Sequence, residues 1–229
     1  MNAVSPREAG APASQILSDD QNPNAVAGSD PAVLADIYEA ETNIAMWQRS
    51  FSESFQRLVD EFVSSRQQPY LSMICAPKDA GSQLRKALGS AHFSPLADDA
   101  TELIGMFCCL FELDQVGLRM TVLRDTMCPK FHVDHVPCRM VTTYAGVGTQ
   151  WLPNAVVKRD KLGIGSAGKS DQDSGLYGNE ADIRQMASAD VALLEGEGWQ
   201  GNQNAGLVHR SPAIPSGESR LLLTLDFSS

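Results

Sequence analysis

The hydrophobic period of this chain changes at Gly117, and that switch sets its fold class. Ahead of it, Val33, Leu34, Ile37 and Tyr38 share one helical face. Trp47, Phe51, Phe55, Leu58, Val59 and Phe62 then continue at three- and four-residue steps, which predicts two amphipathic helices over roughly 31–66. Asp30 and Pro31 supply a cap and a first helical residue. A strand is expected at 69–75 and a helix near 79–89, ended by Gly89. Another helix should begin after Asp98-Asp99, bury Leu103, Phe107, Leu110 and Phe111, and stop at Gly117. Beyond that point 118–123, 139–144, 191–194 and 221–227 are rich in β-branched and large apolar residues, with Gly and Pro between them. The polar, Gly-rich stretch 158–179 reads as a loop or lid.

These patterns predict an α+β fold in which N-terminal helices pack on a jelly-roll or cupin-like barrel, a double-stranded β-helix. Residues 1–28 lack an apolar period and are expected to form a flexible tail. The remainder, 29–229, is expected to be a single domain with a helical part at 29–117 and a β-barrel part at 118–229.

Eighteen basic against 28 acidic residues, a net charge of -10, argue against a nucleic-acid partner, which needs a cationic footprint. No run of apolar residues is long enough for a membrane-spanning helix. The start of the chain lacks the basic and apolar regions of a secretory signal, and its five cysteines fit reduced thiols. A cytoplasmic location is therefore expected.

The densest group of potential ligands is Phe131-His132-Val133-Asp134-His135. On a strand, His132 and Asp134 would point to one face and His135 to the other. His209, in Gly206-Leu207-Val208-His209, lies beside another predicted strand. Two imidazoles and one carboxylate form the facial triad of non-haem Fe(II) oxygenases, which leaves coordination positions open. Arg220 follows His209 by eleven residues, after a turn at 215–217 that would return the chain as an antiparallel neighbour. A guanidinium placed inside the barrel suits a dicarboxylate, because its planar fork binds carboxylates in bidentate fashion.

His132-Val133-Asp134, the strand Arg139-Met140-Val141-Thr142-Thr143-Tyr144, and a later His209 followed by Pro215-x-Gly217-x-x-Arg220 resemble the 2-oxoglutarate- and Fe(II)-dependent dioxygenases, in their prolyl-hydroxylase-like pattern. The resemblance covers about 118–227. It implies Fe(II) on His132, Asp134 and His209, and 2-oxoglutarate held through Arg220 and Tyr144. It also implies oxidative decarboxylation coupled to hydroxylation of a small-molecule or protein substrate. His135 and Arg139 would stand behind the ligands or face the substrate. The whole chain also resembles an uncharacterised bacterial family of unknown function that carries F-H-V-D-H-V-P-C-R and T-L-D-F segments.

Zinc suits the same triad, and a cupin-like metal-binding accessory or sensor protein with zinc or iron is the alternative to an enzyme. Cys128, His132, His135 and Cys138 offer a tetrahedral zinc set of uncommon spacing. Gly163 to Gly168-Lys169-Ser170 matches the string of a phosphate-binding loop, without the strand and helix such a loop needs. His92 reads as a surface residue. Cys108-Cys109, Trp151 and Trp199 read as packing residues.

Overall fold

The computed structural model describes residues 24–65, 70–201 and 204–228. Its chain order is β1 (Ala25–Gly28), a 3-10 helix (Pro31–Tyr38), β2 (Ile44–Trp47), α1 (Glu53–Ser64), β3 (Tyr70–Cys75), α2 (Pro77–Leu88), α3 (Ser94–Leu110), β4 (Val116–Leu123) and β5 (Cys138–Ala145). Then come β6 (Gln150–Leu152), β7 (Arg184–Gln185), β8 (Val191–Glu195), β9 (Val208–Arg210) and β10 (Arg220–Phe227). Seven strands form a large sheet in the order β1-β2-β8-β5-β10-β4-β3, antiparallel except for β1–β2. A small sheet has the order β7-β6-β9.

The helices cover one face of the large sheet. Ser52 caps α1 by accepting the Phe55 N–H, and Val59 and Phe62 are buried from that helix. Gly89 ends α2 in the left-handed region (φ +75°), as its position predicted. Leu84, Leu103, Ile104 and Phe107 pack with Leu118, Met140, Leu193 and Leu223 of the sheet. On the other face, Val141, Leu194 and Leu222 meet Trp151, Met186 and Leu207 around the small sheet. The chain is thus a mixed α+β fold of two facing sheets, and no helix among the described residues is long and apolar enough to cross a membrane.

Several local expectations are corrected. Of the two helices expected over 31–66, the first is a 3-10 helix, capped by Asp30 with Val33, Leu34 and Ile37 buried. Trp47 ends a strand instead. β2 lies between β1 and β8 with Ile44 opposite Leu194, so tertiary pairing overrides the helical spacing. β1 begins inside the expected tail, with Ala25, Ala27 and Gly28 buried. Residues 1–23 lie outside the described residues. α3 starts at Ser94 and runs through Asp98 and Asp99, and Gly117 belongs to β4. The segment 158–179 is a packed loop of short turns, with Leu176 and Tyr177 buried against Phe131, Leu152 and Val208.

One buried carboxyl makes stability depend on pH. Glu195, opposite Cys138 in the β5–β8 ladder, is 3% exposed, and its Oε2 has no hydrogen-bond partner among the described residues. Burial pushes this carboxyl up to about 8. The folded state therefore holds the proton more tightly than the unfolded chain does. Its contribution is fully present below the unfolded value of about 4.3 and is lost as pH rises to about 8. The Tm of Glu195→Gln, relative to that of the natural chain, should rise steadily from pH 5 to pH 8. Parallel pH profiles for the two proteins would refute this.

Candidate metal centre

His132 and His209 are joined through their backbones. Each donates its N–H to the other's carbonyl, at 3.0 and 2.9 Å, in an isolated antiparallel bridge. The expected strand through His132–Asp134 is therefore only this bridge, and pairing with His209 aligns the residues where strand alternation was expected to. The rings lie 4.7 Å apart. His132 Nδ1 faces the Lys130 carbonyl at 2.9 Å and His209 Nδ1 faces that of Leu207 at 3.1 Å. A carbonyl only accepts, so each neutral ring carries its proton on Nδ1 and turns an unprotonated Nε2 inward.

Asp134 meets both rings, with Oδ2 3.3 Å from His209 Nε2 and Oδ1 3.9 Å from His132 Nε2. The three ligand atoms lie within 4.8 Å of one another, the one such group among the described residues. Burial, and then the neighbouring His209, lower the basicity of His132. Burial would raise the Asp134 carboxyl, but with the rings protonated the hydrogen bond and charge of His209, and the charges of Arg139 and His132, outweigh it and hold it at about 2. A metal ion takes the place of the Nε2 protons of such rings beside an ionised carboxylate, so the donor set of two imidazoles and one carboxylate fits a divalent ion.

Residues on either side of the histidines are pinned by the 158–179 loop. Asp171 Oδ2 accepts the Phe131 N–H at 3.0 Å and lies 3.6 Å from the Arg210 guanidinium, which stacks on Phe131 at 4.3 Å. The loop thus braces both His-bearing segments.

Beside the triad opens a small cleft of ≈ 70 Å³, bordered by His132, His209, Arg139, Arg210, Arg220 and the apolar Val141, Leu194 and Leu222. Arg139 pairs with Asp134 and Asp226, and Arg210 with Asp171. Arg220 differs. It is 1% exposed and has no carboxylate within 4.0 Å among the described residues. Its partners are hydroxyls: Ser211 at 2.9 Å, Thr149 at 2.7 Å and Thr143 at 3.1 Å. Burial pulls its pKa down to about 10, which still leaves it charged at neutral pH. Gly146 lets the backbone pass close behind it. A Cβ there would stand 2.5 Å from the Ser219 carbonyl, at a φ of +82°.

Of the residues named from sequence, His132, Asp134, His209, Arg139 and Arg220 converge. Tyr144 does not. Alternation along β5 puts Arg139, Val141 and Thr143 on the cleft side and Tyr144, with Met140, on the helix-covered face, where it stacks on Phe51 and donates to Asp99 at 2.6 Å. His135 projects outward, its side chain 90% exposed, and contacts Glu197 at 2.6 Å. The tetrahedral zinc set is not assembled. Cys138 is fully buried among the helix-face residues, where burial pushes its thiol well up, and Cys128 is exposed. Among the described residues no strand runs directly into Gly163 and no α-helix follows Ser170, so the phosphate-loop string lacks its frame. Asp171, Thr149 and Ser211 carry no motif that marks them as part of the site. Thr143 and Asp226 lie in segments noted above, the strand 139–144 and T-L-D-F, but nothing local assigns them a role.

Fold and site together define the class as an α+β chain of two facing sheets carrying a His-x-Asp…His set of candidate metal ligands. The chain belongs to the family described as Protein of unknown function (DUF1826), whose model matches residues 28–226. Among solved structures it is similar to a Pseudomonas putida prolyl-4-hydroxylase, at 10% identity and a TM-score of 0.45, over 86% of this chain and 98% of that one. It is also similar to a full-length Neurospora crassa protein solved in complex with alpha-KG, at 10% identity and a TM-score of 0.44, over 85% of this chain and 78% of that one. No curated protein matches the chain.

Proposed function

We propose that this chain is a non-haem Fe(II)- and 2-oxoglutarate-dependent oxygenase that hydroxylates a small molecule or a protein in the cytoplasm. One observation carries the reading: a buried arginine without a carboxylate partner among the described residues borders the same cleft as the two triad histidines. A buried charge is costly unless it is paired, and a bound anion would supply the pair. On this reading the two facing sheets are a double-stranded β-helix, and 29–229, extended by β1, acts as one domain.

His132, Asp134 and His209 would hold the metal and leave positions open for a chelating cosubstrate. Fe(II) bound there would supply dioxygen activation coupled to decarboxylation of 2-oxoglutarate. The chain's own residues bind and orient. Arg220 would take the distal carboxylate of the cosubstrate through its fork. Each hydroxyl of Thr143, Thr149 and Ser211 accepts from Arg220 and so keeps its own proton to donate to that carboxylate. Val141, Leu194 and Leu222 would line its methylenes and keep water out.

The test is anaerobic Fe(II) reconstitution with and without 2-oxoglutarate. A visible metal-to-ligand charge-transfer band should appear only with both present. Bound Fe(II) that gives no band would favour the non-catalytic metal-binding protein instead.

A further inference from the structure

The candidate ligand Asp134 sits in an irregular segment, where neither helix nor strand fixes its side chain. Two strands of the large sheet do so instead. Arg139 of β5 donates from Nη1 to Asp134 Oδ2 at 2.7 Å and from Nε to Asp226 Oδ1 at 2.6 Å. Asp226 stands directly opposite Arg139 in the β5–β10 register. Its other oxygen, Oδ2, accepts from Arg119 of β4, which is half exposed. Charges therefore alternate along a chain Asp134–Arg139–Asp226–Arg119 that runs from the cleft to the surface. The inner three side chains are all less than one-fifth exposed.

We infer that Asp226 and Arg139 are positioning residues: Asp226 aims the Arg139 fork, and the fork holds Asp134 Oδ2 so that Oδ1 is presented to the metal. The inference rests on the metal-binding reading above. The guanidinium is planar, so fixing its Nε edge on Asp226 fixes the direction in which Nη1 points. Oδ2 accepts from Arg139 and also lies 3.3 Å from His209 Nε2, whereas Oδ1 has no hydrogen-bond donor among the described residues and is the freer oxygen for a metal. Oδ1 is the oxygen facing His132 Nε2. Supporting partners of this kind typically change metal affinity by about 10–100-fold when removed.

The measurement is Co(II) affinity and the Co(II) visible spectrum of the full chain, with thermal melting of the metal-free protein alongside. Arg139→Gln and Asp226→Asn should each weaken Co(II) about 10–100-fold and alter the spectrum. Arg139→Lys should recover only part of the affinity, because an ammonium has no fork. Since Asp226 acts through Arg139, the double variant should be no weaker than Arg139→Gln alone. A purely structural ion chain would lower the melting temperature and leave both affinity and spectrum unchanged. Unchanged affinity in either single variant, or additive losses in the double, would overturn the inference. If the natural chain bound no Co(II), the metal reading would fall and take this one with it. Binding by the natural chain with indifferent variants sinks the positioning role alone.

Discussion

Alanine at His132, Asp134 or His209 should remove most of the affinity for a divalent ion, while His135→Ala should leave it within about twofold. The three ligand atoms lie within 4.8 Å of one another, and no other described His, Cys, Asp or Glu completes the group. Structural zinc sites bind with roughly 10–16 kcal/mol spread over four ligands, so losing one of three protein donors should cost a few kcal/mol. That is at least about a 100-fold loss. His135 is the internal control, since its ring is exposed and engaged with Glu197. Calorimetric titration of Fe(II) or Zn(II) under anaerobic conditions checks this. Equal losses at His135 and Asp134 would move the centre away from the triad.

Arg220→Ala should lower the affinity of the metal-loaded protein for 2-oxoglutarate by roughly 30-fold to several thousand-fold. Truncating one partner of a buried charge pair typically costs about 2–5 kcal/mol, at about 1.4 kcal/mol per decade. The substitution also leaves the hydroxyls of Ser211, Thr143 and Thr149 without their common donor. Metal affinity should persist, because the Arg220 guanidinium bonds to these hydroxyls rather than to the triad, and the histidines are fixed by their own backbone bridge. Arg220→Lys should restore charge without the fork and recover part of the affinity. If 2-oxoglutarate bound both variants as tightly as the natural chain, Arg220 would serve the fold or another anion.

The helices α2 and α3 and the strands β4, β5, β8 and β10 were legible because long periodic runs report burial locally. β1, β2, β6 and β7 were not. They are two to four residues long, too short for a period to register, and they exist because neighbouring strands saturate their backbones. The same contrast divides the site. His132-x-Asp134, His209 and Arg220 are recognisable as residue types at suggestive separations, since metal and carboxylate chemistry restrict which side chains can serve.

Which neighbours they meet was a matter of register. In the β5–β10 ladder, alternation puts Arg139, Val141 and Thr143 at the cleft and Tyr144 on the helix face, so Tyr144 and Arg139 could not both serve the site. The pairing of Arg139 with Asp226, across 87 positions of chain, follows from that same ladder. The sequence by itself determined the kinds of donor available and the helix-to-strand division of the fold. The tertiary structure alone decided which donors converge and that Arg220 is buried without a carboxylate partner among the described residues. Hydrogen-bond pairing and burial are properties of strands brought together from distant parts of the chain, and neither is encoded within a single run of residues.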